Sequence, residues 1–116
     1  MKIERHDVAA RMSKVVVHGD TVYLAGIVAN EPKGKSTAEQ TKDILGQIEG
    51  FLAKAGTDKS RLLSANIWIT DMANFGEMNS VWDAWVSPGN TPARATVEAK
   101  LATPDYKVEI MVVAAK

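Results

Sequence analysis

The chain has 116 residues, no cysteine, and 14 basic side chains that are matched by 14 acidic ones. This length is typical of one domain, which we expect to span residues 1–116. Balanced charge argues against a broad electrostatic surface for nucleic acid or for an anionic membrane. The first six residues carry no apolar signal-peptide core, and no apolar run approaches the roughly 20 residues of a membrane span. We therefore expect a cytoplasmic protein.

The first third of the chain predicts a β-hairpin. Residues 13–17 are short and β-branched, residues 18–20 give a turn signal, and residues 21–28 read as a second strand. The preceding segment is polar, so we expect His6 to lie in an N-terminal tail and His18 to lie in the turn. Neither histidine has the spacing of a metal ligand, and we expect no metal site.

A helix follows the hairpin. Ser36 or Thr37 can cap its start, with Glu39 or Gln40 near the capping-box position, and Gly56 can end it. Apolar residues recur between these limits at helical spacing: Ile44, Leu45, Ile48, Phe51 (or Leu52) and Ala55. Two glycines inside the helix, Gly46 and Gly50, predict that it packs closely against a sheet.

The second half predicts a strand, a helix and two more strands. Residues 63–70 alternate, with Leu63, Ala65, Ile67 and Ile69 on one side. Residues 74–86 return to helical spacing, and residues 91–115 read as two strands joined by a tight Pro-containing turn. The order ββαβαββ predicts an α+β fold, with one face of a mainly antiparallel sheet covered by two helices.

The last strand carries two different rows of side chains. Val108, Ile110 and Val112 point one way, while Glu109, Met111 and Val113 point the other. Two helices on one face leave the second row without a partner, and Trp68 lies on the same outward row of its own strand. Such an uncovered apolar row predicts self-association.

Arg94 and Glu109 are the candidate site residues. A carboxylate among apolar neighbours is costly to desolvate unless it is paired or faces a wet cleft. Arg94, on what we expect to be the neighbouring strand, offers a planar fork of donors for a substrate carboxylate. Two structural alternatives remain open: Arg94 belongs to a solvated polar row, and Glu109 is a salt-bridge partner or a hydrogen-bonding residue of an interface.

The same segment resembles a known family. Residues 92–98, followed by Glu109 within residues 107–110, resemble the C-terminal signature of the Rid (reactive intermediate deaminase, YjgF-type) family. Residues 22–26, 39–48 and 79–85 resemble its second strand and its two helices. The resemblance extends over nearly the whole chain and is strongest to the short, divergent YoaB-like members.

The resemblance implies a chorismate-mutase-like fold that assembles as a homotrimer, with ligand clefts between subunits. It implies hydrolysis of reactive 2-imino acids, such as 2-iminobutanoate and 2-iminopropanoate, to 2-keto acids and ammonia. Arg94 would hold the carboxylate, the backbone of Gly26 would meet the imine nitrogen, and Glu109 would orient the attacking water. No cofactor is expected, because the imine carbon is already electrophilic.

Two positions depart from the family pattern. Met12 stands where the founding deaminases carry a pocket tyrosine, and Ala25 stands where they carry a hydroxyl residue before the glycine. Arg11, Ser13 or Asn90 are candidate replacements. The absence of the two polar groups at Met12 and Ala25 favours an alternative function, in which the cleft binds or senses a 2-keto acid without turnover. Nuclease and translation-inhibitor labels also attach to relatives, but the balanced charge argues against nucleic acid as a partner.

Overall fold

The computed structural model describes residues 1–116 and shows one six-stranded sheet in the order β1-β2-β3-β6-β4-β5. All neighbouring strands are antiparallel except β4 and β5, which are parallel. The α+β prediction is confirmed, with one strand more than expected. The strands are β1 (Ile3–Val8), β2 (Ser13–His18), β3 (Thr21–Leu24), β4 (Leu62–Ile69), β5 (Ala93–Glu98) and β6 (Val108–Ala115), and the helices are α1 (Thr37–Lys54) and α2 (Phe75–Trp85).

The additional strand is β1, where the polar sequence predicts an N-terminal tail. It pairs antiparallel with β2, with His6 opposite Val15. Most of its residues are exposed, because an edge strand has a sheet neighbour on one side only and packs against little else. Such a strand needs no alternating apolar pattern, which is why its sequence did not reveal it. Its position makes the segment that contains His6 part of the sheet.

The last two strands are not neighbours, so the expected hairpin between them is wrong. β4 lies between β5 and β6. β5 runs parallel to β4, with α2 as the crossover between them, as parallel strands require. The proline-containing segment 99–107 therefore connects two strands that are separated by a third. A turn signal predicts that the chain reverses direction, but it does not determine which strands will pair with each other.

Helix α1 begins as predicted. Ser36 caps it, and its hydroxyl and the Glu39 carboxylate complete a reciprocal capping box. The prediction from Gly46 and Gly50 is wrong, since a Cβ added at either position would meet nothing within 4 Å. Both glycines lie on the solvent side of α1, and the sheet-facing side buries Ile44, Leu45, Ile48 and Leu52.

One face of the sheet forms the core with the two helices. Its buried row includes Val15, Val17, Val22, Leu24, Ala65, Ile67, Ile69, Val108, Ile110 and Val112. The alternation predicted for β4 holds except at its start, where a register shift between Leu62 and Ser64 buries Leu62 and leaves Leu63 exposed. Neither helix is long and apolar enough to cross a bilayer.

The other face of the sheet is uncovered in the chain, as the two rows of β6 predicted. Glu109, Met111 and Val113 are all partly exposed on it. Trp68 on β4 pairs with Glu109, which puts the indole on the same face. This open face therefore combines apolar side chains with one carboxylate.

A buried amide joins two loops to α1. Gln40 is fully buried, and its Nε2 donates to the carbonyls of Pro32, Lys35 and Asp105 at 3.1, 3.3 and 2.9 Å. Its Oε1 accepts the Lys107 N–H at 2.9 Å. One side chain thus fixes the loop before α1 and the segment that leads into β6.

Candidate functional site

Glu109 lies beside a bulge in the strand pairing. Tyr23 of β3 pairs with Val113 of β6, and Ile27 forms an isolated bridge with Ile110. From Tyr23 to Ile27 the chain advances four residues, whereas β6 advances three from Val113 to Ile110. The β3 side therefore has one extra residue, which is a β-bulge. The bulge lies immediately after β3 and contains Gly26. It brings the Gly26 backbone against the side chain of Glu109.

Only glycine fits at position 26 while Glu109 keeps its position. A Cβ added there would overlap Oε2 of Glu109 and lie 3.1 Å from its carboxyl carbon. The neighbouring N–H groups of Ala25 and Ile27 donate to Lys14 and Ile110, whereas no acceptor in the chain receives the Gly26 N–H. The Glu109 carboxylate therefore lies against the backbone of Gly26, whose N–H has no acceptor in the chain. We call these two residues the Glu109 cluster (Glu109 and Gly26).

Arg94 belongs to a second group, on β5. Its Nη1 donates to Oδ1 of Asn79 at 2.8 Å. The guanidinium carbon lies 5.4 Å from the ring centroid of Trp82 and 5.8 Å from that of Phe75, within the range of cation–π attraction. We call these residues the Arg94 cluster (Arg94, Asn79, Trp82 and Phe75). An arginine held in this way is not part of a simply solvated row.

Asn79 is a site residue that is not among the candidates predicted from the sequence. It lies on α2, where asparagine is a poor helix former because its side chain competes for backbone hydrogen bonds. The low helix propensity of asparagine in a predicted helix was the sequence feature that could have indicated a role for Asn79. Thr96 is a second such residue: it lies two positions after Arg94 on β5, and its Oγ1 is buried without a hydrogen-bond partner.

The two clusters lie on opposite faces of the sheet. Arg94 pairs with Ala65, whose side chain is buried under the helices, while Glu109 pairs with Trp68 on the open face. β4 also separates their strands. The expectation that neighbouring strands bring Arg94 and Glu109 together is therefore wrong within one chain. The two groups can share a ligand only if a second copy supplies one of them.

Neither Arg94 nor Glu109 forms an ion pair within the chain. The three ion pairs all lie elsewhere, and the hydrogen-bond partner of Arg94 is a neutral amide. This removes the interpretation of Glu109 as a salt-bridge partner inside the subunit. A guanidinium that is oriented but not neutralised is suited to bind an external carboxylate.

Of the two departures from the family pattern, Ala25 adjoins Gly26 of the Glu109 cluster in the sequence. Met12 is in the loop between β1 and β2, and its side chain is 49% exposed. Ala25 donates its N–H to the Lys14 carbonyl at 2.9 Å, which keeps β2 beside the bulge. Asn90, one candidate replacement for the missing polar groups, donates to Ser87 at 3.1 Å in the loop before β5. Arg11 lies in the same loop as Met12, and Ser13 is the first residue of β2.

No group of three or more His, Cys, Asp or Glu side chains in the chain is placed to hold a metal ion. The chemistry available to the two clusters is that of one carboxylate, one guanidinium, an amide and the polar backbone at Gly26. These groups can bind a small carboxylate and can move a proton.

Comparison with known proteins links the chain as a whole to one family. The sequence model of the family described as Endoribonuclease L-PSP matches residues 2–116. The chain is 46% identical to the RutC family protein YoaB of Escherichia coli, over 99% of each chain. It is 45% identical to a RutC family protein of Haemophilus ducreyi, over 97% of this chain and 96% of the relative. A crystal structure of a YjgF family protein from Neisseria meningitidis superposes with a TM-score of 0.97 at 46% identity, covering 100% of this chain and 96% of the other.

Proposed function

Because this chain belongs to the YjgF/RutC (Rid) family, we propose that it hydrolyses reactive 2-imino acids to 2-keto acids and ammonia. The observation that carries the proposal is the contact between the Glu109 carboxylate and the backbone of Gly26. This contact gives a proton-transfer group beside polar backbone that can meet the imine nitrogen. The oriented Arg94 guanidinium supplies the anchor for the substrate carboxylate.

The site is completed between subunits. Within one chain Arg94 and Glu109 are on opposite faces of the sheet, so a homotrimer would join the Arg94 cluster of one copy to the Glu109 cluster of its neighbour. The uncovered apolar face of the sheet is the surface for this assembly. Each interface of a closed ring would then contain one complete site.

The reaction moves two protons through Glu109. Glu109 takes the first from water as the water oxygen attacks the imine carbon, and it gives this proton to the nitrogen, which receives the electrons of the C=N bond; the product is a carbinolamine. Glu109 then carries the hydroxyl proton of the carbinolamine to its amino nitrogen, the C–N bond breaks, and ammonia leaves as the keto group forms. General acid–base catalysis of this kind is worth about 10²–10⁴-fold. Free imines hydrolyse unaided, so such a factor is sufficient.

A competition assay tests the activity. An amino-acid oxidase generates 2-imino acids in the presence of semicarbazide, which traps the imine that survives. Less trapped product with the wild-type protein, and no such decrease with Arg94→Ala, is the expected result. An unchanged amount of trapped imine with every parent amino acid would contradict the proposal.

A subunit-mixing experiment tests where the site lies. Arg94→Ala and Glu109→Ala are each expected to be inactive alone. Mixed at equal amounts and reassembled, they should recover about one quarter of the wild-type activity, since one interface in four combines an intact Arg94 with an intact Glu109. If the mixture stays inactive while mixed oligomers form, the two residues do not act across an interface.

One observation favours a second function. Met12 and Ala25 lack the polar groups that orient substrate or water in the founding deaminases. The same cleft would then bind a 2-keto acid without turnover. Saturable binding of 2-ketobutyrate that Arg94→Ala abolishes, with no effect in the competition assay, would select this alternative.

The description of the family model names an endoribonuclease. The balance of 14 basic and 14 acidic side chains gives no electrostatic support for RNA binding by this chain. An RNA-cleaving activity that survives purification and disappears in Glu109→Ala would assign that function instead.

A further inference from the structure

We propose that the groove between α1 and α2 binds a small anion with a flat apolar body, such as an aromatic carboxylate. The groove has a volume of about 430 Å³. No residue of the Glu109 cluster or of the Arg94 cluster lines it, although Trp82 of the Arg94 cluster packs against Trp85 of the groove. Its apolar lining is formed by Leu45, Val81, Ala84 and Trp85, and its positive charges are those of Lys42 and Lys59.

The apolar lining favours a flat ligand. Trp85 is only half-buried, and its indole packs against that of Trp82 with ring centroids 5.5 Å apart. The Trp85 Nε1–H donates to Glu49 at 3.1 Å, which fixes the orientation of the ring. A fixed and partly exposed indole beside buried Leu45 offers a rigid surface for stacking.

The charges of the groove favour an anion. Lys42 takes part in none of the ion pairs of the chain, and Lys59 pairs with Glu49 at 3.3 Å while lying 5.3 Å from the Trp85 ring. Glu49 does not line the groove. Glu77, on the same helix as Val81, accepts the Ala38 N–H at 2.6 Å and is thus directed to the start of α1. The lining of the groove therefore contains two ammonium groups and no carboxylate; Lys59 is paired with Glu49 beside the groove, and Lys42 is the one without an ion pair.

Naphthoate and its neutral amide form a matched pair of probes. The chain has three tryptophans, and the NMR signal of the Trp85 indole N–H can be assigned with Trp85→Phe. We expect naphthoate to shift this signal in a saturable manner and naphthamide to bind more weakly. The double variant Lys42→Gln/Lys59→Gln should weaken naphthoate binding by about two- to tenfold, as expected for exposed charges. The control Lys2→Gln/Lys33→Gln removes the same charge from exposed positions outside the groove and should have no effect.

Filling the groove gives a second test that does not disturb the core. Ala84 is exposed on α2, so Ala84→Phe should leave the melting temperature nearly unchanged and abolish the shift at Trp85. Glu109→Gln alters only the opposite face of the sheet and should bind naphthoate like the wild type.

Four results would overturn the proposal: equal affinity for naphthamide, full binding by Ala84→Phe, a saturable shift at Trp68 in place of Trp85, or no shift up to the solubility limit of naphthoate. The outcome is independent of imine hydrolysis, which the competition assay measures separately.

Discussion

Asn79 on α2 accepts a hydrogen bond from Arg94 on β5, with 2.8 Å between Oδ1 and Nη1. This bond joins the helix layer to the edge strand of the sheet. It uses one of the five N–H groups of the guanidinium and contributes no charge of its own. Arg94 is thereby fixed in orientation, and its positive charge remains available for a ligand.

Replacement of Asn79 should separate the effect of the orientation of Arg94 on activity from the effect of its charge. Asn79→Ala removes the acceptor and should reduce kcat/KM for imine hydrolysis by about tenfold or more, since hydrogen bonds to charged groups contribute about 1.5–3 kcal/mol. Asn79→Asp keeps an acceptor but neutralises Arg94 with a carboxylate, and we expect a larger loss through KM. The competition assay across substrate concentrations measures both. If Asn79→Asp were as active as the wild type, Arg94 would not be the carboxylate anchor.

Gly26→Ala should disable the site and spare the fold. The added Cβ overlaps the end of the flexible Glu109 side chain, which can move away without a shift of the backbone. We expect a change in unfolding free energy within about 1 kcal/mol and a loss of most activity. Thermal unfolding and the competition assay, run on the same preparation, test this. As a control, Ala25→Gly changes the adjacent position without adding an atom.

Met12→Tyr restores the ring hydroxyl that the family resemblance places at this position. Because Met12 is 49% exposed in the loop between β1 and β2, the larger side chain should fit with less than about 0.5 kcal/mol change in stability. We expect imine hydrolysis to increase by about tenfold if the hydroxyl orients substrate or water with one net hydrogen bond. Met12→Phe supplies the ring alone and should show no increase. An equal gain in both variants would assign the effect to the ring.

Gln40→Leu should destabilise the protein strongly. The substitution leaves the Lys107 N–H and three carbonyls without their buried partner, at a cost of about 2–4 kcal/mol. Urea unfolding would measure the change. Gln40→Glu retains the acceptor for Lys107 but turns a carboxylate toward three carbonyl oxygens, so it should be no more stable than Gln40→Leu.

Gly46→Ala and Gly50→Ala should each stabilise the protein. Both positions are on the solvent side of α1 with no atom within 4 Å of an added Cβ. Alanine lowers the conformational entropy of the unfolded chain and favours the helix, by about 0.5–1 kcal/mol per site. The unfolding midpoint should rise in each variant, with unchanged imine hydrolysis. A decrease would mean that the solvent side of α1 is covered in the assembled protein.

Local sequence patterns determined most of the elements. The capping box of Ser36 and Glu39, the helical spacing in α1 and α2, and the alternation in β6 depend on neighbouring residues, so the chain alone predicts them. The sequence also determined that Glu109 would lie on the row opposite the core, because side chains alternate along a strand. The strand pattern also indicated Arg94 as a candidate, and the resemblance added Gly26 as a site residue.

The tertiary structure alone decided which elements are neighbours. β4 inserts between β5 and β6, β1 joins the sheet as an edge strand, and a bulge brings Gly26 to Glu109. These relationships depend on hydrogen bonds and packing between segments that are distant in the sequence, and local patterns do not encode them. The separation of Arg94 and Glu109 has the same cause: the alternation along each strand gives the two rows of side chains, but only the pairing of β5 and β6 with β4 shows that the two residues lie on opposite faces with a strand between them.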